Sequence, residues 1–275
     1  MTDDADPLAR IAAALERLAP APSGSADWDA CPAYVWDGKA ARSVPRIDAP
    51  ALGLLRGIDM QKDLVAANIA RLAAGHAAHD MLLWGSRGMG KSALVRAAVA
   101  GAQMHDPARL ALVQITQEAL PGIPLLFAQL AAQQRRFLVY IDDLGFEEGD
   151  ATGPRLLRSW LEGGVEARPV NVRLAVTSNR RAIVARQMAE QDDPINPRDV
   201  VDDRLALADR FGLSIGFHNC SQDDYLAIIA GYAEAYALDW SQEEALEWSR
   251  RRGARSGRIA WHYVTDVAGR CGRTL

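Results

Sequence analysis

Residues Met81–Ala98, MLLWGSRGMGKSALVRAA, leave this chain few ways to fold. The apolar run Met81–Trp84 predicts a short buried strand. The next eight residues, Gly85-Ser86-Arg87-Gly88-Met89-Gly90-Lys91-Ser92, fit G-x-x-x-x-G-K-[ST] without a gap. Leu94, Val95 and Ala98 then recur on one face of a helix. Strand, glycine loop and helix follow in the order that phosphate binding requires. Glycines let the backbone curl until its N–H groups face inward as an anion nest. The helix N-terminus adds positive partial charge at the same point. Residues 85–93, closing with Ala93, thus form a candidate cradle. Lys91 can reach the β- and γ-phosphates, and the Ser92 hydroxyl can ligate Mg²⁺. The alternative is a glycine-rich turn before an ordinary helix, and the full spacing with both flanks argues against it.

A chain of 275 residues accommodates an α/β core with a small appendage. Net charge is −4, so nothing overall pulls the molecule towards nucleic acid or anionic membrane. Cys31, Cys220 and Cys271 are far apart and have no metal-ligand spacing, which suggests a reducing compartment. No apolar run approaches a membrane span. The opening Met-Thr-Asp-Asp carries acids where a secretory signal needs bases. The expectation is a cytoplasmic protein without membrane contact.

Asp6-Pro7 predicts a helix start, with Leu8, Ile11, Leu15 and Leu18 at helical spacing and a linker over residues 19–27. Between Trp28 and Pro50 only Tyr34-Val35-Trp36 reads as a strand or extended segment. A turn at Leu52–Ile58 leads into a helix to about Ala74. Beyond the glycine loop, strands are expected at Leu110–Ile115, Phe137–Ile141, Val172–Thr177 and Leu213–Phe217. Helices are expected at Ile123–Gln133, Thr152–Leu161 and Val200–Ala208, with a surface loop over Gln187–Arg198. Strands separated by helices imply a parallel sheet covered on both faces. From Ser221 the pattern is helical only, over Asp223–Tyr236, Gln242–Arg252 and Arg258–Val267.

The buried-strand run FLVYI ends in Asp142-Asp143. A strand delivering a carboxylate at its C-terminal end is the partner such a loop needs. Asp142 would hold Mg²⁺ opposite Ser92, and Asp143 would orient and deprotonate water. The alternative is a pair of acids capping a turn. Val172–Thr177 leads to Asn179, whose amide can sense a γ-phosphate or simply form a turn.

In this order Gly85–Ser92, Leu138–Asp143, Thr177–Asn179, Asp209-Arg210-Phe211-Gly212 and Arg255-Ser256-Gly257-Arg258 resemble the Walker A, Walker B, sensor 1, arginine-finger and sensor 2 elements of an AAA+ ATPase. The likeness covers about residues 50 to 270. Ile141-Asp-Asp-Leu-Gly-Phe-Glu-Glu-Gly149, Glu166-Ala-Arg-Pro169 and Thr177-Ser-Asn-Arg-Arg181 especially resemble a bacterial family of single-domain AAA+ ATPases known only as a domain of unknown function. The resemblance implies that Arg210 is an arginine finger reaching a neighbouring subunit's nucleotide. It implies that Arg258 is the lid's sensor, and that Gly57 and Ile58 line the adenine pocket. Arg210 also reads as a surface ion pair, and Arg258 as a basic helix start.

Two departures bear on function. Most AAA+ enzymes end Walker B in Asp-Glu. Asp-Asp retracts the base by roughly 1.5 Å, and errors of that size can cost about a hundredfold in rate. Initiator and helicase-loader relatives often carry the same pair. The loop Thr116–Gly122 lacks the aromatic–aliphatic–glycine tripeptide of threading unfoldases. Arg250-Arg251-Arg252 with Arg255 would suit nucleic-acid phosphates, but Glu243, Glu244 and Glu247 beside them favour a solvated helix face.

The expected architecture is therefore an α/β P-loop NTPase of AAA+ type, a five-stranded parallel sheet between helices with a C-terminal helical lid. Residues 1–50 would be an N-terminal helix, linker and extension, 51–220 the nucleotide-binding core, and 221–275 the lid. The expected activity is Mg²⁺-dependent ATP hydrolysis by a homo-oligomer acting on a protein client. The alternative is a nucleotide-gated DNA-binding or helicase-loader-like adaptor.

Overall fold

The structure, a computed structural model, describes residues 26–146, 152–162, 168–179 and 207–275. Outside them lie the expected N-terminal helix, all but the end of its linker, and the 187–198 loop. So do Glu147–Gly149, Glu166, Arg180, Arg181 and all but the last two residues of the helix at 200–208.

In chain order the elements are β1 (Ala33–Trp36), β2 (Ala41–Val44), α1 (Asp59–Ala73), β3 (Met81–Gly85), α2 (Lys91–Gln103), β4 (Leu110–Ile115), α3 (Ile123–Ala131), β5 (Arg136–Ile141), α4 (Thr152–Glu162), β6 (Val172–Ser178), β7 (Leu213–Phe217), α5 (Gln222–Ala235), α6 (Gln242–Arg251) and α7 (Gly257–Arg270). The sheet has seven strands in the order β2-β1-β4-β5-β6-β3-β7. All neighbours run parallel except β1 and β2. The five expected strands form one block, and the hairpin 33–44 extends it.

That hairpin corrects the expected strand count, and its cause is local. The Asp37 carboxylate accepts the N–H groups of Lys39 and Ala40, both at 2.8 Å, across a turn in which Gly38 has φ 102°. Asp-Gly between two extended runs is a strong hairpin signal. β1 then pairs with β4, Ala33 opposite Leu112. Trp28, Tyr34 and Trp36 are buried, and the Trp28 ring packs 4.7 Å from Tyr34 and 5.7 Å from Phe137. The Arg135 guanidinium ties the junction by donating to the carbonyls of Trp28, Cys31, Pro107 and Leu110.

Along β5, Phe137, Val139 and Ile141 face one layer while Leu138 and Tyr140 face the other. This period-two division, with apolar residues on both sides, marks a sheet covered on both faces. The first layer is filled by α3 and α4 through Leu126, Leu130, Leu157 and Trp160. The second is filled by α1 and α2 through Val65, Ile69, Leu94 and Val95, and it continues into the C-terminal helices through Ile229, Tyr263 and Val264. Each fully buried side chain of this size contributes about 1.5–3 kcal/mol. The helical segment begins at Ser221, whose hydroxyl caps α5 in a reciprocal box with Asp224.

The rims of the sheet are short. β2 is four residues long, exposes Arg42 and is followed by Pro45. At the other rim Gln61 of α1 donates to the Gly216 carbonyl of β7 at 3.1 Å. Among the described residues no helix is long and apolar enough to cross a membrane.

Candidate functional site

β3 ends at Gly85 and α2 starts at Lys91, so the glycine loop lies at the C-terminal end of the sheet. Gly85 has φ 120°, and a β-carbon there would sit 2.1 Å from the Phe217 carbonyl oxygen. That same oxygen accepts the Ser86 N–H at 2.9 Å. Only glycine lets the loop leave β3 while pressed this closely against β7. Ser86 itself donates to Asn219 at 2.6 Å.

Lys91 is 7% exposed and folds back over its own loop. Its Nζ donates to the carbonyls of Gly85 at 2.7 Å and Ser86 at 2.8 Å, and to Asn179 Oδ1 at 3.3 Å. Burial lowers the ammonium's pKa. Asp143 and Asp142 oppose that effect, and Arg87 and Arg258 add to it. A phosphate placed here would relieve the desolvated cation.

The acid pair stands across from the loop. Ser92 Oγ, Tyr140 Oη and Thr177 Oγ1 each donate to Asp142 Oδ1 at 2.6 Å. Burial pushes the Asp142 carboxyl up, but the hydrogen bonds from Ser92, Thr177 and Tyr140, with Arg96 nearby, bring it below the ordinary carboxylate value. Asp143 adopts φ 51°, uncommon for a non-glycine residue. Its N–H donates to Thr177 Oγ1 at 2.8 Å, and its carboxylate accepts the Asn179 amide. Asn179 thus bridges Lys91 and Asp143, oxygen towards the cation and nitrogen towards the anion.

The C-terminal helices close over the loop. The Arg258 N–H at the start of α7 donates to the Gly88 carbonyl at 3.2 Å. Gly88 has φ 74°, and a β-carbon on it would lie 2.9 Å from Ser256 Oγ. Between loop, acids and lid is a cavity of about 730 Å³. Of the residues expected from sequence, Ile58, Arg87, Gly88, Met89, Gly90, Lys91, Ser92, Ala93, Asp142, Asp143, Asn179 and Arg258 line it. Gly85 and Ser86, the first residues of the loop, do not line it. Gly57 stands off the wall, facing Asp224 of the α5 cap. Arg210 is elsewhere: it precedes β7, which runs parallel to β3, so it sits at the opposite end of the sheet from the loop.

Sequence reasoning gave no role to Tyr140 and Thr177, though both stand inside the motifs it quoted, and missed Arg96 and the C-terminal helices' Ile228, Tyr232, Tyr236 and Trp261, all on the cavity wall or bonded to a residue on it. Tyr140 had a signal, because residues i and i+2 of a strand share a face. The lid aromatics had none, since only the tertiary fold brings them to the loop.

Ser92 and Asp142 offer hard oxygen donors at hydrogen-bond distance. Among the described residues no group of three His, Cys, Asp or Glu could hold a metal unaided. A divalent cation that fits here arrives with phosphates and water, which is how Mg²⁺ is held.

Residues 29–271 match the family described as "Protein of unknown function (DUF815)". No curated protein matches. Among solved structures, a single-residue variant of Thermotoga maritima RuvB shares 18% identity over 80% of this chain and 68% of that one, with a TM-score of 0.51. The Aeropyrum pernix ORC1 protein, solved in complex with DNA, shares 15% identity over 82% of this chain and 66% of its own, with a TM-score of 0.53. At these identities the likeness is one of fold.

Proposed function

Because the chain belongs to the DUF815 family and carries the AAA+ fold, we propose that it binds ATP with Mg²⁺, hydrolyses it, and passes the nucleotide state to a client through its lid. One observation carries this reading: Lys91, Ser92, Asp142 and Asp143 line one large cavity, Ser92 bonded to Asp142 and Lys91 joined to Asp143 through Asn179. In it Lys91 and the loop N–H groups take the phosphates, Ser92 and Asp142 hold Mg²⁺, and Asp143 with Asn179 places the water. Ile58 borders the base, and Arg258 at the start of α7 closes on the γ-phosphate. Residues 51–220 act as core and 221–275 as lid. Arg210 completes a neighbour's site in a homo-oligomer. The free cysteines among the described residues suit work in the cytoplasm.

The test is calorimetric titration with ATP and Mg²⁺ beside a phosphate-release assay, with Lys91→Ala as control. Tight binding and turnover, both lost in the control, are expected. Affinity unchanged in Lys91→Ala would sink the assignment.

One observation favours a second reading. The Asp143 carboxylate is exposed but accepts the Asn179 amide, so one of its oxygens is already engaged. A nucleotide-gated adaptor that binds DNA or a helicase and hardly hydrolyses would use such a site. Turnover measured with and without single-stranded DNA separates the two readings.

A further inference from the structure

The hydroxyl of Tyr140 is the odd atom in an otherwise apolar strand. Its neighbours in β5 from Phe137 to Ile141 carry no polar side-chain atom, and Tyr140 itself is 1% exposed. Phenylalanine would fill the same space without a buried hydroxyl that needs a partner. The partner is Asp142, two residues on and on the same face of the chain. Thr177, at the end of β6, reaches the same oxygen from the neighbouring strand.

The stoichiometry is informative. A carboxylate oxygen has two lone pairs, and Asp142 Oδ1 takes three hydroxyl donors. Among the described residues none donates to Oδ2. Each hydroxyl has a single proton, so Ser92, having given its proton to Asp142, has only lone pairs left for a cation. The carboxylate is pinned by one oxygen and open at the other, and Tyr140 and Thr177, both buried, do the pinning.

We infer that Tyr140 and Thr177 are positioning residues that fix the Asp142 carboxylate with Oδ2 turned to the coordination shell of the nucleotide-borne Mg²⁺, and so set how strongly the metal tightens nucleotide binding. This rests on the reading of Asp142 as the metal-site acid. Thr177 does one thing more: it accepts the Asp143 N–H, so one hydroxyl sets the spacing of both acids from β6.

The test titrates MgCl₂ into protein mixed with a fluorescent, non-hydrolysable ATP analogue, for wild type, Tyr140→Phe, Thr177→Val, Thr177→Ser and Asp142→Asn. Affinity in EDTA and the melting temperature of the free protein are measured alongside. Tyr140→Phe and Thr177→Val should match wild type in EDTA but need about five- to tenfold more Mg²⁺ for half the tightening, the worth of one positioned hydrogen bond. Thr177→Ser should restore the wild-type midpoint. If Asp142→Asn moves the midpoint while Tyr140→Phe and Thr177→Val do not, the hydroxyls only fill space and the inference is overturned. If wild type gains nothing from Mg²⁺, the metal reading of Asp142 falls and takes the inference with it. Should Tyr140→Phe not fold, the comparison of Thr177→Val with Thr177→Ser decides alone.

Discussion

Asp143 is the residue whose chemistry is most exposed to test. Its carboxylate is bonded by the Asn179 amide, whose oxygen faces Lys91. Asp143→Asn keeps the shape but turns an acceptor that can take a proton into an amide that cannot. We expect the variant to bind ATP as wild type does and to lose about 10²–10⁴ in turnover, the usual worth of a positioned acid or base. Wild-type turnover in a phosphate-release assay would mean that the base lies elsewhere. At this scale the sequence was legible where the chemistry is local. Lys91 and Ser92 are fixed by spacing within one loop, and Asp142-Asp143 by standing at the end of an apolar run. Trp261 was not legible, because it meets the site from a helix whose position depends on the whole fold, while Arg96 on α2 and Thr177 near Asn179 stood in stretches that were read but were given no role. Gly57 shows the converse. The resemblance put it on the adenine pocket, but its φ of 74° fits a turn that packs on Asp224.

Among elements, the glycine loop is held from two sides, and each side makes a prediction. Towards β7, Gly85→Ala would drive a β-carbon to 2.1 Å from the Phe217 carbonyl oxygen at a φ of 120°. Neither atom belongs to a flexible side chain, so β3 and β7 must separate. Chemical denaturation should show a loss of about 3 kcal/mol or more. Towards the lid, Gly88→Val would press on Ser256 and Arg258 at the start of α7. There a hydroxyl and a helix end can yield. The φ of 74° strains any side chain at Gly88, so stability should fall by about 1–3 kcal/mol, while hydrogen exchange at residues 256–260 should quicken beyond that of the rest of the chain and ATP affinity fall. Unchanged exchange there would show that the lid does not lean on the loop. The strand–helix alternation from Met81 to Phe217 was readable because buried parallel strands are continuous apolar runs. β1 was read only as a strand or extended segment at Tyr34–Trp36, and β2 escaped because four residues, Ala-Arg-Ser-Val, are too few for a period to emerge. The Asp37-Gly38 turn was the one local clue.

For the whole molecule, the separation of Arg210 from the loop is decisive. The five residues of β7 span about 16 Å, well beyond the reach of an arginine side chain. Arg210 therefore acts on a nucleotide only if the nucleotide belongs to another copy. Arg210→Ala should bind ATP normally, lose most turnover, and regain part of it when mixed with Lys91→Ala protein. A finger supplied in trans can be worth about 10³–10⁵ in rate. Turnover per subunit should also rise with protein concentration, and a constant rate from a persistent monomer would leave a single-chain switch instead. The two short rims of the sheet bear on how such copies could meet. β2 ends at a proline-led turn with Arg42 in solvent, and Gln61 occupies an outward carbonyl of β7. Blunted rims of this kind give a stray strand no template to add to. If copies of this chain assemble, such rims leave strand ends, loops and helices for the contact. The same rims guard a crowded cell against the irreversible route by which open sheets turn into fibres.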